Sequence, residues 1–247
     1  MKSFTTPFAT LAAFSLGISS LWSFDKTHAG LTKIISTTVV ESGVKYPELK
    51  KQHSALKDYL TELALVKESE FKKWKEADQL SFLINLYNAS TLNVVLEHYP
   101  IKSFKDEVGG KEGPWKIPSV NLFGKLISLD ELEHKSIREN YNEPRIHFAL
   151  NCASAGCPPL RDEAYTAKQL EKQLNEQTKA FLADTKANKL SGKKLELSPI
   201  FDWFKDDFIK KSGSVEAFVN PYFSQKISKG SVSISYTNYG WTLNEAK

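Results

Sequence analysis

RIHFALNCASAGCPPLR, residues 145–161, holds both cysteines of the chain, Cys152 and Cys157, and one of its five histidines, His147. Ile146, Phe148 and Leu150 alternate with Arg145, His147 and Ala149, which predicts a short strand over residues 145–150. Ser154, Gly156 and the Pro158-Pro159 pair then punctuate a loop. A helix is expected beyond it, with Thr166 as N-cap, Gln169 at capping-box spacing, and Leu170, Leu174, Thr178, Phe181 and Leu182 at helical spacing. Both thiols therefore fall on a strand-to-helix crossover, a loop held by a rigid frame, where functional groups concentrate.

Working outward, the strongest helix signal is residues 77–99, ADQLSFLINLYNASTLNVVLEHY, almost uncharged after Asp78 and closed by Pro100. A helix apolar on most faces is buried. Asn85 and Asn88 lie within it at i,i+3 and point in similar directions. Buried amides need partners, and two uses fit: tying a nearby loop down through its backbone, or orienting a catalytic side chain or a ligand. Upstream, residues 46–73 carry Leu49, His53, Leu56, Leu60 and Leu63 at helical spacing. Downstream, residues 101–118 form a long loop rich in Gly, Pro and Lys, of a length that often marks function. Trp115 in it reads as a lid or wall aromatic, or as a plug into the core. Residues 120–122 and 126–128 predict a hairpin. Ser128 and Glu131 have capping-box spacing and open a helix carrying Glu133, His134 and Arg138. A second hairpin is expected about Ser191-Gly192, aromatic-rich short helices over 200–209 and 214–223, and a strand over 232–236. Together these predict an α+β fold: a helical N-terminal half packed on a small, mainly antiparallel sheet that carries residues 145–150.

Of the 247 residues 41% are hydrophobic and 25% charged, ordinary for a soluble globular domain. The net charge of +4, from 33 basic and 29 acidic residues, is too small and dispersed for a nucleic-acid or anionic-membrane surface. Lys2, an uncharged apolar run from Phe8 to Trp22, and Thr27-His28-Ala29 predict a signal peptide over residues 1–29, cut after Ala29. The run is short for a membrane span, and no later segment is apolar enough to cross a bilayer. The expected organisation is a leader over 1–29, an N-terminal helical segment over 30–76 and a single globular domain over 77–247. The protein would be periplasmic or secreted, in a disulfide-permissive compartment.

Cys152, Cys157 and His147 do not have the spacing of a zinc finger, ribbon or knuckle, so no metal is expected. There is no Gly-rich phosphate loop, no nucleophile elbow and no metalloprotease helix motif, so no cofactor is expected either. Thiol chemistry or a disulfide remains. A nucleophilic cysteine needs a base and a group that orients the base. Cys152 is the better nucleophile, because Pro158 and Pro159 beside Cys157 offer no N–H donors. His134 or His147 would be the base, and Asn88, Asn85 or Glu133 the orienting group. On a regular strand His147 and Cys152 face opposite sides, so they meet only if the chain bends at Asn151. Against this stands a Cys152–Cys157 disulfide, for which Gly156 permits the turn and export the oxidant. A permanent bridge, a reversible bridge guarding a reactive thiol, and two free thiols are the alternatives.

HFALNCASAGCPPLRDEAY, together with INLYNASTL and SLDELEHKSIR, resembles the family known as domain of unknown function 547 (DUF547), from about Leu80 to the C-terminus. The matching positions include Asn85, Tyr87, Asn88, Glu133, His134, His147, Asn151, Cys152, Gly156, Cys157, Pro158, Pro159, Trp241, Leu243 and Asn244. The Cys-His-Asn inventory is similar to that of papain- or transglutaminase-type thiol proteins, a fold-level analogy. Two positions depart from the family pattern: Leu83 follows Phe82 where Trp is common, and Gly240 stands where Asp is common. If that Asp orients a histidine, this chain must do so by other means. The resulting expectation is a cysteine-dependent hydrolase or acyltransferase acting on amide or peptide bonds. The alternative is a non-catalytic module that binds a peptide, a glycan or a small thiol, with Asn85, Tyr87, Trp115, Asn151, Cys157 and Trp241 at the ligand.

Overall fold

The expected long helix spans Glu76–His98, and every side chain from 80 to 92 is buried. Such a helix has no face to offer water, so the chain must cover it on all sides. The structure, a computed structural model, describes residues 24–228 and 230–247. The apolar run of the expected leader lies outside them. The helix Ala29–Thr38 and the hairpin of Val39–Val40 with Gly43–Val44 come first. One continuous helical stretch was expected over 46–73, and three short helices replace it: Tyr46–Lys51, His53–Ala64 and Glu68–Phe71. The breaks let Leu49, Leu56, Leu63 and Phe71 all reach the same core as the central helix, which a straight rod would not allow. Residues 30–76 thus share one hydrophobic core with the central helix and the hairpin after it.

That core begins before Gly30. Phe24 is 5% exposed and His28 2%. Phe24 lies parallel to Trp74 at 5.8 Å and edge-on to Phe82 at 5.5 Å between ring centroids. His28 Nδ1 is 2.7 Å from the Tyr59 hydroxyl. A cut after Ala29, as the sequence suggests, would strip both rings from the core and leave Tyr59 without this partner.

Among the described residues three small sheets accompany the helices, and the fold is α+β. Pro118–Leu122 pairs antiparallel with Lys125–Ser128, its turn made by Phe123 and Gly124 at φ of 54° and 77°. Lys189–Ser191 pairs antiparallel with Lys194–Leu197, on which Ser233–Tyr236 adds in parallel. A second aromatic-rich cluster joins this last sheet to the helices Ile200–Trp203, Lys205–Ser212 and Val215–Val219. The helix Leu170–Ala183 links the two clusters: Leu170 and Leu174 enter the first, Phe181 and Leu182 the second. It starts a turn later than expected. Gln169, not Thr166, is its N-cap, and the Gln173 side chain accepts from the Thr166 N–H at 3.0 Å.

No sheet carries residues 145–150. Pro144–Phe148 is a 3-10 helix. Pro144 presets φ at its first position, and the Glu143 carboxylate accepts from the Arg145 N–H at 3.2 Å. All five side chains from Ile146 to Leu150 are buried, so the alternation read from sequence does not mark one wet and one dry face. A chain beginning at Phe24 should resist urea better than one beginning at Gly30, by about 3 kcal/mol, and Phe24→Ala should remove most of that difference. Equal unfolding midpoints for the 24–247 and 30–247 chains would show that this packing contributes nothing.

Candidate functional site

The two asparagines of the central helix each grip a backbone from both sides. Asn85 donates to Tyr165 O at 2.7 Å and accepts from Tyr165 N at 2.9 Å. Asn88 donates to Ala149 O at 2.9 Å and accepts from Asn151 N at 2.8 Å. Asn151 then closes the next turn: its side-chain oxygen accepts from Ala153 N at 3.0 Å and from Asn244 Nδ2 at 3.1 Å, and its amide donates to Pro158 O at 3.0 Å. These contacts hold Ala153 at φ 58°, a left-handed conformation that costs a β-carbon residue about 1 kcal/mol. The C-terminal segment lies alongside, with Ala155 N donating to Thr242 O, Gly156 N to Gly240 O and Asn244 N to Ala153 O. A β-carbon on Gly156 would come within 2.8 Å of Gly240 N and 3.0 Å of the Tyr239 ring, so only glycine admits this approach. Within the loop so held, Cys152 and Cys157 are disulfide-bonded, their Cα atoms 6.2 Å apart.

The bridge forms part of the wall of a cleft of about 260 Å³. Tyr87, Trp115, Trp203, Phe204, Tyr239 and Trp241 give the cleft its aromatic surface; Glu133, His134 and His147 lie among its titratable groups, with Glu112, Lys116 and Asp130 also lining it. Trp115 meets Phe104 and Trp241 edge-on at 5.7 and 6.0 Å, and so acts as a wall that is not sunk in the core. Trp203, 49% exposed, continues that wall against Tyr239 and Trp241. Glu133 and His134 are neighbours in sequence, yet both face the cleft. The capping box of Ser128 and Glu131 starts their helix as expected, but Leu132–Arg138 is wound as a π-helix, a form often found at functional sites.

Behind the cleft the charged groups are chained. Arg138 donates to both carboxylate oxygens of Asp207, at 2.7 and 3.1 Å. His147 Nε2 is 2.8 Å from Asp207 Oδ2 and donates to it. A third Arg138 nitrogen donates to His134 Nδ1 at 2.7 Å, which leaves the His134 proton on Nε2, 3.5 Å from Asp130 Oδ1. These tautomers are dictated by the partners. The His147 ring stacks on Phe204 at 3.9 Å, and its Nδ1 lies 4.0 Å from Glu133 Oε1. Tyr87 and Trp115 line the cleft with Glu133, and the Tyr87 phenol favours the charged form of the Glu133 carboxyl.

Burial lowers the pKa of His147 more than Asp207 raises it. Burial also lowers His134, and the Arg138 charge adds to the effect. For Asp207 burial acts upward, but the hydrogen bonds from His147 and Arg138 outweigh it and hold the carboxyl well below its ordinary range. Glu133 moves the other way: burial pushes it up to about 7 against the opposing Tyr87 hydrogen bond and Arg138 charge, although 14% of the side chain remains exposed. At neutral pH the site therefore has a fixed anion at Asp207, two neutral imidazoles, and a carboxyl poised to take or give a proton.

Residues 71–182 match a family model described as "Protein of unknown function, DUF547". The chain carries a DUF547 domain. No curated protein and no solved structure matches the chain. The DUF547 segment supplies Tyr87, Trp115, Glu133, His134, His147, Cys152 and Cys157 to the cleft; Trp203, Phe204, Asp207, Tyr239 and Trp241, from beyond it, complete the site. Of the residues singled out from sequence, Asn85, Asn88 and Asn151 stand apart from the cleft and hold backbone instead. Asp207, Tyr239, Trp203 and Phe204 carry no signal in the sequence: Asp207 sits in a charged run beside the exposed Asp206 with no local mark of its role. It also answers the departure at Gly240, because it is the group that orients His147. A side chain at 240 would instead point at Ala155 and Gly156.

Asn88→Ala should cost about 2–4 kcal/mol by urea unfolding, because it orphans Ala149 O and Asn151 N in the core. For Glu133 the sign is set by a folded value above the unfolded one. Its stabilising contribution is full below pH 4.5 and is lost as pH rises to about 7. The gap caps the effect at about 3 kcal/mol. Glu133→Gln should flatten the stability profile across that window; an unchanged profile would mean that Glu133 is not held protonated.

Proposed function

We propose that the chain is an exported hydrolase of amide or peptide bonds that works by general acid–base catalysis in this cleft, with Glu133 as the proton-transferring group. One observation carries the reading: the Glu133 carboxyl lies in an aromatic cleft lined by Tyr87, Trp115 and Tyr239, with the Nδ1 lone pair of a buried, Asp207-anchored His147 4.0 Å away. As carboxylate, Glu133 takes a proton from a water molecule, whose oxygen attacks the substrate carbonyl carbon. The same carboxyl, now protonated, gives that proton to the departing amine. His147 stays neutral and presents Nδ1 to the developing acid, and Asp207 fixes its tautomer.

Cys152 as nucleophile is the costlier reading, since a bridged sulfur is no thiolate. The bridge also supports an oxidising compartment and hence export. A second reading, a binding module without turnover, is favoured by the half-exposed Trp203 and its packing on Tyr239 and Trp241, surfaces suited to stacking ligands.

Activity against a library of N-acyl peptides should give kcat/KM that rises through pH about 7, the acidic limb set by deprotonation of Glu133. Glu133→Gln should lower kcat by about 100-fold or more, and the Cys152→Ser/Cys157→Ser double variant should retain turnover. Loss in the cysteine variant with Glu133→Gln active would return the role to the thiol. Ligand capture without turnover by any form would leave the binding module.

A further inference from the structure

The disulfide is placed as more than a staple. Both cysteines line the cleft, and Cys152 is partly exposed while Cys157 is 9% exposed. The two sulfurs differ in their donors. Cys157 Sγ accepts from the Cys152 N–H at 3.1 Å. The Tyr239 hydroxyl sits 3.3 Å from Cys157 Sγ and 3.2 Å from Cys152 Sγ. We infer that the Cys152–Cys157 bridge is a reactive centre for thiol–disulfide exchange with small thiols entering the cleft, Cys152 being the sulfur attacked and Cys157 the leaving thiolate.

A thiolate RS⁻ attacks Cys152 Sγ from the cleft. The new RS–Sγ bond of Cys152 forms as the Cys152–Cys157 bond breaks, and the electron pair leaves on Cys157 Sγ. A second RS⁻ attacks the sulfur of the bound RS group, releasing the disulfide RSSR and the Cys152 thiolate. Two thiols have then been oxidised, and the protein bridge has been reduced by two electrons. A leaving thiolate is favoured by donors aimed at it. The Cys152 N–H is aimed at Cys157 Sγ alone, and the Tyr239 hydroxyl, within reach of both sulfurs, can turn its one proton to Cys157 as charge develops there; Pro158 and Pro159, the next residues along the chain, have no N–H to add. Burial raises the Tyr239 phenol well above its ordinary pKa, with the Glu133 charge adding to the effect, so the phenol keeps its proton and remains a donor. Asn88 and Asn151 fix the backbone of the loop, so the donors stay aimed while the bond opens. None of this requires Glu133 as a catalyst, and exchange stands or falls apart from the hydrolase reading.

The test uses the full chain purified without reductant and glutathione as the probe thiol. Intact-mass and peptide mapping after an acid quench should find the mixed disulfide on Cys152. In the fully reduced protein, alkylation against pH should give Cys157 a pKa below the ordinary value of about 8.5, with Cys152 the higher of the two. Tyr239→Phe should slow bridge opening by about tenfold or more and raise the Cys157 value, a change that loss of packing alone would not produce. Glutathione found on Cys157, a Cys157 pKa at or above that of Cys152, or a bridge that opens in wild-type protein only at urea concentrations that unfold the chain would each overturn the inference. The wild-type measurements decide the matter even if Tyr239→Phe fails to fold.

Discussion

The pairing of the Asn88 amide with Ala149 O and Asn151 N is the contact on which the cleft depends. It joins the buried central helix to the loop that bears the disulfide. An amide makes this joint as no apolar side chain can, because a loop brought into the core carries backbone N–H and C=O groups that must be satisfied there. Asn85 does the same for the chain at Tyr165, one helical turn away. The central helix thus positions two stretches of irregular backbone with side chains that its own propensities disfavour, and local helix preference yields to loop architecture.

The electrostatics derive from that placement. Holding residues 149–151 against the helix puts His147 in the interior, where an imidazole is costly to charge. Arg138 and Asp207 then form a compensated pair beside it, so the buried ring keeps a partner without becoming a cation. Glu133 has no such counter-ion at hydrogen-bond distance. Burial raises its pKa, and the Tyr87 phenol offsets only part of that rise. Two acids in one neighbourhood are driven in opposite directions, Asp207 down by the hydrogen bonds from His147 and Arg138, and Glu133 up by burial that the Arg138 charge does not offset, the pattern by which protein sites separate a fixed charge from a mobile proton.

Local features were the ones legible in the sequence. The buried helix, the capping box at Ser128 and Glu131, and the hairpins about Gly124 and Gly192 all rest on spacing within a few residues, and they form. The cleft residues Glu133, His134, His147, Cys152 and Trp115 stood out by scarcity or by a loop of unusual length. Residues 145–150 misled because a period of two implies a strand only where one face is wet, and here Ile146 and Phe148 enter different cores while His147 is buried between them. Asp207 is 60 residues from His147, and Tyr239 is 87 from Cys152. Nothing in their own neighbourhoods separates them from surface carboxylates and loop aromatics. Between Asn88 as loop anchor and as catalytic orienter, the sequence left both uses open, because the spacing is the same for either.

The lining of the cysteine loop by residues 239–244 also has a consequence in time. A chain emerges from its N-terminus, so both cysteines are made before the segment that packs on Gly156 exists. Until Tyr239 arrives the sulfurs lack both their phenol donor and one wall. Oxidation in that interval pairs two thiols in an open hairpin, and the arriving tail then closes over a bond already made. The maturation of the cleft would thus be ordered by translation itself: bond first, environment second, with residues 239–244 converting an ordinary cross-link into one that faces a built cleft.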